Sequence, residues 1–217
     1  MPKTNKEKRK LKTEPRLNIN LTPEQKKVTE LLYEYDVVFV EGLWGTGKTA
    51  GAVGAAIKEF RKKEFNSIII SRPYIPDKGL GALPGSVNEK LALEMQPILD
   101  NFNVCQAKST TEKMLKEDTL KIQYIGKIKG NTINSDIMLI DEAEDLTYKE
   151  FVEVLTRLGK DSKMIFTLSK EQIHKSINSS SCYYTIEKLR DSGLVGWVEL
   201  TENHRNDCIN KIIEYLK

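Results

Sequence analysis

The stretch Asp36-Val37-Val38-Phe39-Val40-Glu41-Gly42-Leu43-Trp44-Gly45-Thr46-Gly47-Lys48-Thr49 decides the fold. Its first half is a short apolar run rich in β-branched residues, the pattern of a strand buried on both faces. Its second half, Gly42 to Thr49, fills every position of G-x-x-x-x-G-K-[ST], and Ala50 to about Lys63 then reads as a helix. Strand, glycine-rich turn and helix in that order predict a phosphate-binding loop. Triphosphate oxygens need several donors converging on one point, and backbone N–H groups supply them where no Cβ intervenes, hence Gly42, Gly45 and Gly47. The helix N-terminus adds partial positive charge. Lys48 adds a mobile full charge for the β- and γ-phosphates, and Thr49 a hydroxyl for Mg²⁺. The expected nucleotide-binding set is therefore Gly42, Leu43, Trp44, Gly45, Thr46, Gly47, Lys48 and Thr49. Trp44 either stacks on a partner or packs on the next element, with packing favoured.

Working outward, Thr22-Pro23-Glu24-Gln25 fits a capped helix start, and Val28, Leu31, Leu32 and Tyr35 follow at helical spacing. Apolar strands are read at 67–71, 120–125, 136–140, 163–167 and 197–200. Residues 72–86 form a Gly/Pro-rich loop, and an amphipathic segment runs from Val87 to about Phe102. Thr147-Tyr148-Lys149-Glu150 opens another capped helix, with Phe151, Val154, Leu155 and Leu158 inward. Helices about Tyr183–Arg190 and from about Asp207 complete the chain. Short apolar strands alternating with helices predict an α/β protein whose parallel sheet is covered by helices on both faces. Met95, Met114 and Met164 fall at core positions.

Ile137-Met138-Leu139-Ile140-Asp141-Glu142 is the second motif. A carboxylate emerging at the end of a buried strand lies where open parallel sheets bind ligands. Asp141 can hold Mg²⁺ there directly or through water. Glu142 is then placed to accept a proton from an attacking water.

The chain has 217 residues, with 34 Lys+Arg against 31 Asp+Glu and a net charge of +3. At 39% hydrophobic and 30% charged residues it is neither collagen-like nor wholly disordered. No apolar run approaches the roughly 18 residues of a membrane span, and no secretory signal is read. Residues 1–16 carry seven Lys/Arg against two Glu, which puts the positive charge in the tail. That tail, residues 1–17, reads as disordered and solubilising, or as an arm contacting nucleic acid. Residues 18–217 read as one domain. Cys105, Cys182 and Cys208 lack CxxC spacing, which argues against a disulfide framework or zinc site and for the cytoplasm.

Together these motifs resemble the PhoH-like (phosphate-starvation-inducible) P-loop ATPases, a group related to superfamily 1 helicases. The likeness runs from about Leu21 to the C-terminus. Besides the P-loop it is carried by Arg72-Pro73 with Gly79-Leu80-Gly81-Ala82-Leu83-Pro84-Gly85, Glu89-Lys90, Pro97 and Asp100. Thr132-Ile133-Asn134 leading into Asp141-Glu142-Ala143 carries it too, as does Leu155-Thr156-Arg157-Leu158-Gly159 with Ser162-Lys163-Met164. The resemblance implies a RecA/helicase-like P-loop NTPase fold using ATP and Mg²⁺. It implies that Gln25 reads the adenine edge, although Gln25 equally fits the third position of its capping box. It further implies that Gln172 senses the γ-phosphate and that Arg205 acts as an arginine finger. Departures are Leu168-Ser169 in place of Gly-Asp, Lys129 or Asn131 where an arginine is expected, and Leu43-Trp44 in place of Pro-Ala. They bear on turnover more than on nucleotide binding.

The function implied is an ATPase coupling hydrolysis to binding or moving single-stranded nucleic acid, RNA favoured, as a homo-oligomer such as a hexameric ring. Lys48, Glu142, Gln172 and Arg205 are its expected catalytic residues. Arg72 and the basic tail are the sequence candidates for backbone-phosphate contacts, although Arg72 equally fits an anchor for the loop at the strand end. A small-molecule kinase fits less well, because Glu142 directly after Asp141 favours water as acceptor. A nucleotide-gated binding or assembly module with vestigial hydrolysis is the alternative that Leu168-Ser169 keeps open.

Overall fold

The computed structural model describes residues 16–73, 87–128, 130, 132–174, 177, 180–204, 208, 211, 212 and 215. The basic segment 1–15, the motif at 79–85, Lys129, Asn131 and Arg205 lie outside the described residues. The chain runs α1 (Pro23–Glu34), β1 (Val37–Gly42), α2 (Lys48–Phe60), β2 (Ser67–Ser71), α3 (Val87–Cys105), α4 (Lys108–Lys116), β3 (Leu120–Ile122) and α5 (Ile125–Ile128). It continues through β4 (Asp136–Ile140), α6 (Tyr148–Leu155), β5 (Lys163–Leu168), α7 (Tyr183–Glu187) and β6 (Gly196–Leu200). All strand pairs are parallel, in the order β3-β2-β4-β5-β1-β6. This is the P-loop NTPase arrangement the sequence implied.

Strand alternation divides the core into two layers. Val38, Val40, Ile68, Ile70, Ile137, Leu139 and Ile165 face α1, α2 and α3, packing with Val28, Leu32, Ala52, Ala56, Met95 and Phe102. Val37, Phe39, Ile69, Met138, Ile140, Met164 and Phe166 face α5, α6 and α7, packing with Phe151, Val154, Tyr183 and Ile186. Two-sided burial explains why these strands read as continuous apolar runs. Leu17, assigned to the tail by sequence, packs on the first layer with Ile19. Both capping boxes form: Gln25 N–H donates to Thr22 Oγ1 at 3.2 Å and Glu150 N–H to Thr147 Oγ1 at 3.3 Å.

Several boundaries move. β3 pairs only with β2, and its register stops at Ile70↔Ile122, so residues 125–128 turn into α5 instead of extending the strand. α2 ends at Phe60, with Arg61 as its C-cap and Lys63 in the turn beyond at φ 61. α4 has no counterpart in the sequence expectation, because only Thr111 and Met114 of its nine residues are buried. Burial pushes the Cys105 thiol up to about 11 and the Cys182 thiol to about 12. Neither is disposed to act as a thiolate.

Candidate nucleotide site at the strand ends

β1 and α2 are joined by the loop of residues 43–47, with φ 82 at Gly45 and 74 at Gly47, values an L side chain tolerates poorly. A Cβ on Gly47 would also lie 2.4 Å from Gln25 Nε2. That nitrogen donates to the Gly47 carbonyl at 3.2 Å and the Thr46 carbonyl at 3.5 Å, while Gln25 Oε1 accepts from Thr22 N–H at 3.0 Å. Gln25 thus both completes its capping box and braces the loop. Thr46 Oγ1 ties the loop inward through the Leu43 carbonyl at 2.8 Å. The Lys48 ammonium lies across the mouth, donating to the Gly42 and Leu43 carbonyls at 2.7 and 3.0 Å and to Gln172 Oε1 at 3.1 Å. Lys48 and Gln172, 124 positions apart in sequence, therefore meet where the loop opens.

β5 separates β1 from β4 in the sheet. The loop and Asp141 therefore rise from strands two positions apart, on either side of the end of β5. Asp141 is buried, and its Oδ1 accepts from Thr49 Oγ1 at 2.9 Å and from Thr167 Oγ1 at 2.6 Å. Thr167 in turn accepts from the Glu142 N–H at 3.2 Å. Thr49 and Asp141 form an all-oxygen donor pair, which fits Mg²⁺. Among the described residues no group of three or more His, Cys, Asp or Glu could hold a metal. The remaining ligands would then be phosphate and water, the usual Mg²⁺ arrangement. Sequence reading missed Thr167. Its signal was a hydroxyl residue ending the apolar run Met164-Ile165-Phe166, one strand from each motif. Thr167→Val keeps the shape and removes both hydrogen bonds. It is expected to weaken Mg²⁺-dependent nucleotide affinity by roughly 10- to 100-fold, read by calorimetric titration with and without the metal. An equal loss in both titrations would mean that Thr167 only packs.

Glu142 stands in a left-handed conformation, φ 54 and ψ 46, that a non-glycine residue seldom holds without support. Its side chain pairs with Arg72, whose Nε donates to Oε2 at 2.8 Å and whose Nη2 meets Oε1. Beyond it, Asp145 Oδ1 accepts from the His174 N–H at 2.7 Å, which ties this corner to the segment bearing Gln172. His174 contributes its backbone N–H there. Glu144 is buried, and its Oε2 has no hydrogen-bond partner. Burial foremost, with Asp145 adding to it, pushes its carboxyl up to about 8.

The sign follows from linkage: between 4.5 and about 8 the folded chain keeps a proton that the unfolded chain has released. Glu144 therefore stabilises fully below that window, and its contribution is lost as pH rises through it. Glu144→Gln is expected to match the parent at about pH 5 and to melt on the order of 5 °C higher at about pH 9. A melting difference that is the same at both pH values would overturn this assignment.

Glu41, at the root of the loop, was also missed. It is buried, and it accepts from the Tyr183 hydroxyl, from Arg190 and from Trp197 Nε1, the last at 3.2 Å. The loop's base is thereby fixed to α7 and β6. After β6, Glu24 accepts from the Thr201 N–H at 2.8 Å and its hydroxyl at 2.6 Å, bonds that hold the Glu24 carboxyl below its usual range. Asn203 Nδ2 then donates to the Trp44 carbonyl at 3.4 Å and the His204 N–H to the Gly45 carbonyl at 3.0 Å. Asn203 and His204 thus lie on the loop. Leu168 and Ser169 are both fully buried, and the Ser169 hydroxyl donates to Glu171 at 3.4 Å.

Comparison with known proteins identifies the family and the fold. The profile of the family described as PhoH-like protein matches residues 19–217. Over 194 residues the chain is 31% identical to Protein PhoH2 of Bacillus subtilis, a match covering 84% of this chain and 44% of that protein. A PhoH-like protein of the same organism is 30% identical over 195 residues, covering 88% of this chain and 61% of that one. The chain thus spans about half the length of the curated relatives it matches. Among solved structures, the large terminase of a thermophilic bacteriophage superposes with a TM-score of 0.56 at 12% identity, over 92% of this chain and 51% of that one. That likeness shows the shared fold.

Proposed function

The chain belongs to the PhoH-like family, and from that premise we propose that it binds Mg-ATP in the loop of residues 42–49 and couples hydrolysis to binding single-stranded nucleic acid, RNA in preference to DNA. The observation that carries the reading is the convergence of Lys48, Gln172, Thr49 and Asp141 at one loop mouth. Lys48 exchanges the loop carbonyls for β- and γ-phosphate oxygens as the triphosphate enters, and the backbone amides ahead of α2 take the rest. Bound at Thr49 and Asp141, Mg²⁺ would supply charge neutralisation to the phosphates. A water oxygen forms the new bond to the γ-phosphorus while the bond to the β–γ bridging oxygen breaks. The electron pair leaves with ADP, and the water proton passes to the Glu142 carboxylate. Gln172 orients the water or the γ-phosphate, and Arg205 stabilises the transferring group's charge from the same or a neighbouring chain.

Kinship of the family with superfamily 1 helicases supports the nucleic-acid half. Arg72 and the basic N-terminal residues are the candidate phosphate contacts. The same reading has the protein act in the cytoplasm as a homo-oligomer such as a hexameric ring, in which Arg205 serves its own chain's nucleotide or a neighbour's. No helix among the described residues is long and apolar enough to cross a membrane. The test is phosphate release from Mg-ATP with and without single-stranded RNA or DNA, alongside mass in solution with and without ATP. RNA-stimulated release supports the reading. Saturable ATP binding without release turns it into a nucleotide-gated module, and no saturable binding ends it.

A further inference from the structure

Arg72 follows β2 directly, and its guanidinium joins three elements. Nε and Nη2 take both oxygens of Glu142 at the end of β4, and Nη1 donates to the Glu94 carbonyl of α3 at 3.4 Å. The arginine side chain is 15% exposed and the carboxylate 30%. Lys48, Gln172, Thr49 and Asp141 all converge on the loop mouth, whereas the candidate proton acceptor is engaged on the β2 side. Its backbone adds a second observation. A left-handed glutamate, braced by Thr167 on one side and Arg72 on the other, is a strained residue held by its surroundings, as switch positions often are.

We propose that the Arg72–Glu142 pair is a latch that a nucleic-acid phosphate opens. A phosphodiester presents oxygens to the guanidinium fork in the same bidentate way as a carboxylate. A strand lying at the end of β2 therefore competes with Glu142 for Arg72. Each contact made to the strand frees the carboxylate to turn toward the loop. Binding of single-stranded nucleic acid and competence for hydrolysis thus become the same event, reciprocal as linkage requires. Arg72 is a positioning residue in this scheme, acting through Glu142. The inference rests on the function proposed above and adds how its two halves communicate.

The test uses the full chain and Arg72→Gln, Arg72→Lys and Glu142→Gln variants, with a single-stranded oligouridylate as probe. Arg72→Gln is expected to raise phosphate release without RNA by at least ~5-fold, the low end of ordinary coupling, and to abolish further stimulation. Arg72→Lys, which keeps the charge but not the fork, is expected to fall between parent and Gln variant. Basal release that is unchanged or lower in Arg72→Gln, with stimulation retained, overturns the latch.

A second readout needs neither ATP nor metal. Nitrogen-15 resonances of the Arg72 guanidinium in the parent, identified by their loss in Arg72→Lys, must shift on adding the oligonucleotide and must resemble those in Glu142→Gln. Signals indifferent to saturating oligonucleotide overturn the latch even if Arg72→Gln fails to fold. The proposed function fails separately, when the parent releases no phosphate under any condition.

Discussion

Glu142→Gln is expected to bind ATP with parental affinity while losing turnover by roughly 10²- to 10⁴-fold, the usual worth of a positioned general base. The amide is nearly isosteric and any non-glycine residue meets the same φ of 54, so the backbone of the strand end should persist. Affinity should persist because the groups facing the triphosphate are Lys48, the loop amides and Thr49, whereas the Glu142 carboxylate is held by Arg72. What disappears is an oxygen able to keep a proton. The variant also weakens the ion pair to Arg72, whose side chain is mostly buried. A modest fall in melting temperature is therefore part of the expectation and is read separately. Equilibrium binding and phosphate release on one preparation decide the matter. Unchanged turnover removes Glu142 from the role of proton acceptor, and parallel loss of binding and turnover makes it structural.

The sheet was legible because its strands are buried on both faces. Val37 to Val40, Ile68 to Ile70 and Ile137 to Ile140 have no polar side to blur them, and both helix starts at Thr22 and Thr147 carry their reciprocal caps locally. Elements whose existence depends on neighbours were less legible. α4 buries Thr111 and Met114 alone, so its sequence offers no helical stripe. β3 stops pairing with β2 after Ile122, where the chain turns into α5, which no property of Gln123-Tyr124-Ile125 announces. Strand order is likewise a long-range fact. That β5 runs between the two motif strands can be seen only once the sheet is assembled.

The same division holds at the site. The loop of residues 42–49 and the pair Asp141-Glu142 are contiguous in sequence, and their chemistry demands particular residue types, so they could be read directly. Gln25 left two roles open, the adenine edge and the cap; its Oε1 serves the cap, while its Nε2 braces the loop, a contact that nothing in the local sequence announces. Thr167 and Glu41 were invisible because one hydroxyl or carboxylate at a strand end has no pattern around it. Their roles appear only through partners 26 and 142 positions away. Arg72 was read as a phosphate contact or an anchor. What the local sequence could not announce is that its guanidinium takes Glu142 and the Glu94 carbonyl, partners brought to it by the assembled sheet and α3.

Lys48→Ala is expected to lose both binding and turnover, which separates it from Glu142→Gln. Its ammonium is only partly buried and is satisfied by two loop carbonyls and Gln172, so removing it leaves acceptors that water can reach and should cost little stability. Against a triphosphate the balance differs. Two charge-assisted hydrogen bonds at about 1.5–3 kcal/mol each correspond to at least a 10²-fold loss of affinity. Charge building on the γ-phosphoryl group during transfer adds a further factor on the order of 10²–10³ in turnover, as for other preorganised donors. Lys48→Arg should not rescue, because the loop holds a point donor between the Gly42 and Leu43 carbonyls, and a planar fork of greater bulk cannot take that position. The measurement is ATP affinity by equilibrium dialysis for parent, Lys48→Ala and Glu142→Gln at one ionic strength. If Lys48→Ala binds as the parent does, the triphosphate is not held at the loop mouth, and the assignment of Thr49, Asp141 and Gln172 around it falls as well.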